Sequence, residues 1–249
     1  MDKALYVAMT GAKHNMLAQT AHANNLANVN TTGFKSDFAA ARSMPVFFGE
    51  GLPTRAFNMV ERPATNLAHG ALSQTGRDLD IAIEGDGFIA VQAENGDEAY
   101  TRAGKLFIDS VGMLRTGNGL PVLGEGGPIA VPPNTKVEIG TDGTLTVIAT
   151  GQGVDAPAAV DRIKLVNPDP ATLSKSEDGL LRRLDTPEPM AADANVTVVS
   201  GFLEASNVNA VHELTSMLTL ARQYEMHVKL MSTAKENSES ASRLIQFNN

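Results

Sequence analysis

Two stretches of helical periodicity stand at opposite ends of this chain, and the sequence between them cannot continue either one. In the first stretch Leu5, Met9, Ala12, Met16, Gln19, Ala23 and Leu26 recur at alternating intervals of four and three, the spacing of a heptad seam. In the last stretch Ala210, Leu214, Met217, Ala221, Tyr224, Val228, Met231, Lys235, Ser238, Ser242 and Ile245 follow the same rule. The spacing predicts helices over residues 2–28 and 207–247, about 40 Å and about 60 Å long at 1.5 Å per residue. The asparagines Asn24, Asn25, Asn28 and Asn30, followed by Thr31-Thr32-Gly33, end the first helix. Asn207 or Asn209 offers the N-cap of the second.

Isolated helices are marginal in water, and most of their stability comes from packing an apolar face. The terminal helices must therefore pair with each other, with the middle of the chain, or with other subunits. Gln19, Lys235, Ser238 and Ser242 weaken the seams. Leu218, Leu220 and Met226 lie off the strict seam of the last helix, so one pairing leaves apolar surface over, and that surplus points to multi-helix packing. Ala12, Ala23 and Ala221 permit close helix approach. The seam methionines Met9, Met16, Met217 and Met231 pack adaptably against unlike neighbours.

The middle reads differently. Leu79-Asp80-Ile81-Ala82-Ile83 alternates, Phe88-Ile89-Ala90-Val91 is a short strand after Gly85-Asp86-Gly87, and Val137 with Ile139 precedes Thr141-Asp142-Gly143. Leu145 and Val147 resume the alternation after it, so Asp142-Gly143 is a hairpin turn. Arg162–Val166 and Val196–Val199 are further strands. No amphipathic helix separates these runs, so the sheets are expected to be mainly antiparallel. Pro45, Gly49, Gly51, Pro53 and Pro63 break every candidate helix in residues 35–66, which read as irregular. Phe34, Phe38, Phe47, Phe48 and Phe57 lie in or beside that stretch, either anchoring a long loop to a core or touching neighbouring subunits. The expected fold is mixed α and β: a mainly antiparallel β middle flanked by N- and C-terminal coiled-coil-forming helices. Its parts are an assembly helix and turn over 1–34, a connecting segment over 35–69, a β-rich outer domain over 70–205 and a second assembly helix over 206–249.

Composition narrows the function. The net charge is −8 and the basic residues are scattered, whereas a nucleic-acid binder carries a basic patch and an anionic-membrane binder a basic amphipathic helix. Cysteine is absent, so disulfides and thiolate metal sites are excluded. Ala4–Met9 is too short for a secretory apolar region, and no window reaches the roughly 18 apolar residues of a spanning helix. The chain is thus expected to be cytosolic or to leave by a route that cleaves no signal. His14 and His22 sit about 80° apart around a helix, and no metal-ligand spacing appears. There is no G-x-S-x-G elbow and no phosphate loop. Asp78, Asp80, Glu84 and Asp86 form an acidic cluster. Paired carboxylates of that kind serve glycosidases, but a solvated strand face balanced by Arg77 and Arg102 is the simpler account. Neither cofactor nor metal nor catalytic residue is expected.

Local sequences then carry a resemblance. Ala23-Asn24-Asn25-Leu26-Ala27-Asn28-Val29-Asn30-Thr31-Thr32-Gly33-Phe34-Lys35 resembles the N-terminal signature of flagellar rod and hook axial proteins. Leu79 to Phe88 and Tyr100-Thr101-Arg102-Ala103-Gly104 are similar to central segments of the same superfamily. Glu204-Ala205-Ser206-Asn207-Val208-Asn209, Glu213-Leu214 and Arg222-Gln223-Tyr224-Glu225 resemble its approach to the C-terminal helix. The matches occur in order over nearly the whole chain. Met1 to Met9 and Val122 to Ile129 are similar to the proximal-rod type rather than the distal one. The resemblance implies a rod that carries torque from motor to hook across the periplasm. It also implies partners that are further copies and other rod proteins, and passage through the flagellar type III export apparatus without a cleaved signal. The terminal helices are then expected to stack into a central tube with the β domain outside. Within the signature, the asparagines suit a defined turn because their side chains bond local backbone, and Gly33 is placed to supply a positive φ. Two readings of other classes compete: a hydrolase using Asp78 and Asp80, which predicts turnover lost on their substitution, and a soluble coiled-coil adhesin or chaperone, which predicts a discrete oligomer.

Overall fold

The computed structural model describes residues 3–38, 41–46, 55–60, 64–149, 157–184 and 188–246. They form two compact units, one of residues 1–29, 36–66 and 208–249, the other of residues 30–35 and 67–207.

The first unit contains two helices, α1 (Lys3–Ala27) and α2 (Ala210–Gln246), with four strands: β1 (Asp37–Phe38), β2 (Ala41–Val46), β3 (Arg55–Val60) and β4 (Ala64–Thr65). Helix ends fall within a few residues of the sequence expectation. Within 35–66, however, most of the described residues are strand rather than irregular. β2 and β3 pair antiparallel from Ala41↔Val60 to Val46↔Arg55, and β1 pairs β4. Pro45 stands inside β2 opposite Ala56. Proline lacks a donor, but both members of a two-stranded ribbon are edge strands and tolerate it. Phe38 is exposed in β1, Phe57 stands opposite Met44, and Phe47 and Phe48 fall outside the described residues.

The second unit carries β5 (Leu72–Gln74), β6 (Ile81–Glu84), β7 (Phe88–Gln92), β8 (Glu98–Thr101), β9 (Leu106–Ile108), β10 (Leu114–Thr116), β11 (Asn134–Ile139), β12 (Thr144–Ala149) and β13 (Ala158–Arg162). Then follow β14 (Leu165–Val166), β15 (Leu173–Lys175), β16 (Leu181–Arg183), β17 (Thr197–Ser200) and β18 (Phe202–Glu204). Its largest sheet runs β14-β7-β8-β16-β15. Every strand pairing among the described residues is antiparallel.

Ile81, Ile89, Val91, Leu106, Leu114, Val122, Ile129, Leu145 and Ile163 lie in one core of this unit. Phe88, Ala90, Tyr100, Val166 and Leu181 form a second, smaller one. Successive side chains of a strand point to opposite faces, so β7 sends Ile89 and Val91 into one core and Phe88 and Ala90 into the other. That explains its unbroken apolar run. β6 likewise buries Ile81, Ala82 and Ile83 together, where the sequence reads as alternating. The hairpin at Asp142-Gly143 forms with Ile139 opposite Leu145. Gly143 takes φ +84°, and the Asp142 carboxylate accepts from Thr144 N at 3.0 Å.

Candidate assembly interface

Within the first unit α1 and α2 run antiparallel. His22 donates to the Glu213 carboxylate, the His227 ring lies on Gly11, and Leu5 shares an apolar groove with Val228, Met231 and Ala234. Residues 22, 11 and 5 thus meet residues progressively later in α2. Continued at this register, Lys3 falls near Ala234, and about three turns of α2 extend past the last α1 residue described. Ile245 lies in the final turn.

The face used for pairing is displaced from the expected seam. Leu5, Ala12, Gln19 and Leu26 are buried or half-buried, but Met9, Met16 and Ala23 are exposed. Their inward places are taken by the residues just before them, Ala8, Asn15 and His22. The same shift recurs on α2. Met217 and Met231 turn inward, while Leu214, Tyr224 and Val228 are exposed and Glu213 and His227 lie on the covered side. Leu220 and Ala221 are both half-buried. Small and polar residues such as Ala8, Asn15, His22 and Glu213 therefore share the pair with Leu5, Met217 and Met231, and other large apolar residues stand beside it. Met9 is 51%, Met16 56% and Leu218 64% exposed. Among the described residues Nδ1 of His14, Nδ1 of His227 and Nδ2 of Asn15 are buried without hydrogen-bond partners, and each such group costs about 1–3 kcal/mol.

The asparagines act locally. Asn25, 1% exposed, donates from Nδ2 to Asp37 O at 2.7 Å and accepts from Asp37 N at 2.8 Å. Its amide thus pairs with β1 as a backbone unit would. Asn28 folds back on α1, donating from N to Asn24 O at 3.1 Å and from Nδ2 to the same oxygen at 2.9 Å. Leu26 is half-buried and Ala27 exposed. At the start of α2, Asn209 Oδ1 accepts from Val211 N at 3.1 Å and His212 N at 3.2 Å. That makes Asn209 the N-cap, and the first-turn Glu213 faces a favourable helix dipole.

In the second unit the signature continues as packing. Gly33 has φ +70°, and a Cβ there would meet Arg102 C at 2.3 Å. Its N–H donates to Glu204 O at 2.8 Å. Lys175 Nζ stands 3.8 Å from the Phe34 ring centroid, a cation–π contact. Asn207 donates to Phe34 O at 3.3 Å and, from Nδ2, to Ala68 O at 3.0 Å. Ser206 and Val208 are half-buried beside it in the chain.

Sequence reasoning missed one group entirely. Glu204, 1% exposed, accepts from Lys35 Nζ at 2.7 Å, Gly70 N at 2.9 Å and Arg102 Nη1 at 3.0 Å. Lys35 also donates to Ala68 O at 2.8 Å, and Arg102 to Gly85 O at 2.7 Å. Burial alone raises a carboxyl pKa, but the hydrogen bonds from Lys35 and Gly70 and the charges of Lys35 and Arg102 prevail and hold Glu204 below the usual range. Burial pulls Lys35 below its ordinary value, against the bond to Glu204. Arg102 therefore balances Glu204 and not the acidic cluster. That cluster does not share one solvated face either: Asp80 is buried and takes Arg77 Nη1 at 3.1 Å, while Asp78, Glu84 and Asp86 are exposed. Among the described residues no group of three His, Cys, Asp or Glu side chains is arranged to hold a metal ion, and no helix is long and apolar enough to cross a membrane.

Three family models match in order. "Flagella basal body rod protein" covers residues 5–35, "Flagellar hook protein FlgE/F/G D1 domain" residues 82–147, and "Flagellar basal body rod FlgEFG protein C-terminal" residues 199–244. The chain is similar to the flagellar basal-body rod protein FlgF of Escherichia coli strain K12, 38% identical over 252 residues, which covers 99% of this chain and 100% of that protein. It is 38% identical over 247 residues to FlgF of Caulobacter vibrioides, covering 97% of each. Against the rod protein FlgG of Bacillus subtilis it is 32% identical over 258 residues, covering 95% of this chain and 96% of that one.

Proposed function

This chain belongs to the flagellar basal-body rod family, among its F-type subunits, and from that premise we propose that it builds the proximal rod by packing its terminal helices against those of neighbouring subunits. It is a structural subunit of the flagellar basal body, not an enzyme. In this reading residues 1–34 and 206–249 are the assembly segments, residues 35–69 connect, and residues 70–205 form the outer part. The helices make coiled-coil contacts with further copies of the chain and with other rod proteins. Delivery by the flagellar type III export apparatus and transmission of torque across the periplasm belong to the same reading.

The observation that supports it best is the apolar stripe left over when α1 and α2 pair. Met9, Met16, Leu214, Leu218 and Val228 are exposed together with Tyr6, Leu17 and Met226. Contiguous exposed apolar surface marks an interaction site, and the unpartnered His227 nitrogen over Gly11 weakens the pair by itself. The stripe has an intrinsic test. Met16→Asp and Leu218→Asp add charge at exposed positions, so the β-rich unit should keep its thermal midpoint while the chain disappears from isolated basal bodies. Normal incorporation of both variants would sink the proposal.

A further inference from the structure

The Lys35–Glu204–Arg102 charges stand where the chain repeatedly changes unit. Residues 30–35 and 67–207 belong to the β-rich unit, so the chain enters or leaves that unit at residues 29–30, 35–36, 66–67 and 207–208. One set of bonds ties together the segments next to all four places. Gly33 N–H donates to Glu204 O and Ala205 N–H to Ala71 O, each at 2.8 Å. Lys35 and Asn207 share Ala68 O as an acceptor, and Asn207 N–H donates to Phe34 O. Lys175 Nζ donates to Lys35 O at 2.8 Å. The Glu204 carboxylate reaches Lys35, Gly70 and Arg102 at once. The two apolar cores of the unit are built from other residues.

Partial opening of such a cluster is the costly step. Withdrawing Lys35 alone leaves the Glu204 carboxylate buried with one of its two cationic partners gone, and an uncompensated buried charge is strongly unfavourable. Full opening returns all three charges to water and recovers their hydration. The closed cluster also holds Arg102 Nε buried without a hydrogen-bond partner, a donor that water would satisfy. Both effects favour fully shut or fully open over anything between. Segments held by polar bonds outside the apolar cores are also those that open at the lower cost in free energy.

We propose that residues 33–35, 68–71 and 204–207 form a two-state clasp, which opens as one piece while the apolar cores of the β-rich unit stay folded. The segment that follows α1 and the segment that precedes α2 are thereby seated together or released together.

Amide-resolved hydrogen exchange on the full chain tests this. The N–H groups of Gly33, Gly70 and Ala205 report the clasp. Those of Ala90 and Leu114, bonded to Lys164 O and Ile129 O, report the cores. One shared protection factor is expected for the three clasp amides, about tenfold or more below that of the core amides. Ile89→Val should quicken exchange at Ala90 and Leu114 about fivefold and leave the clasp amides unchanged. Asn207→Ala removes one bond between clasp segments and should quicken all three clasp amides by a common factor of about five. Both substitutions are mild enough to leave the chain folded. Clasp amides that quicken in step with Ala90 in Ile89→Val show that the clasp opens only with the cores, which overturns the proposal. So does an Asn207→Ala effect confined to Ala205, or protection at Gly70 where Gly33 has none.

Discussion

Replacing Glu204 by glutamine tests the buried charges directly. The side chain keeps its volume, but the acceptor shared by Lys35, Arg102 and Gly70 N–H becomes a neutral amide with two donors of its own. Lys35 and Arg102, each 4% exposed, are then two buried cations with no anion hydrogen-bonded to either. Removing one partner from a buried ion pair costs about 3–5 kcal/mol. In a chain of this size 1 kcal/mol moves the thermal midpoint by about 2–4 °C, so the β-rich unit should melt about 6–20 °C lower by calorimetry at pH 7. The pH dependence has a definite sign. Because the folded carboxyl is held below its ordinary value, its contribution is complete above the unfolded pKa of about 4.3 and fades as pH falls through the lower folded value. The deficit of Glu204→Gln should therefore shrink on acidification. A loss under about 1 kcal/mol at pH 7, or a deficit equal at pH 7 and pH 3, would refute the reasoning. Lys35→Met combined with Glu204→Gln should cost less than the sum of the single changes, since the two share one bond.

Three further outcomes follow from particular bonds. Gly33→Ala should destabilise by more than the roughly 1–2 kcal/mol of a left-handed alanine, because the added carbon meets Arg102 backbone; urea titration reads it. Asn25→Asp loses the donor to Asp37 O and faces that carbonyl with an acceptor, so hydrogen exchange at Asp37–Phe38 and at its partner Thr65 should quicken while the β-rich unit stays protected. Asn209→Ala removes the cap of α2 and should cost about 1 kcal/mol, seen as lower helicity by circular dichroism on heating; an unchanged melting curve would show that another group caps the helix.

The sequence by itself determined the order of elements and their kind. Four-and-three spacing located both helices, period-two runs with Asp142-Gly143 located a hairpin, and the Asn-rich signature located a turn that Gly33 completes at positive φ. These are local properties, set by backbone geometry within a few residues. Three matters were decided only by the tertiary structure. Heptad spacing admits a step of three or four from each residue, so whether Met9 or Ala8, Leu214 or Glu213, faces inward depends on what the opposite helix presents; Gly11 beneath the His227 ring and His22 against Glu213 settle it. Proline in β2 read as a break because its tolerance on an edge strand depends on the absence of a further neighbour. Glu204 stands 169 residues from Lys35 and 102 from Arg102, and no periodicity links groups that far apart. Only the packing that excludes water from all three makes their charges a single interaction.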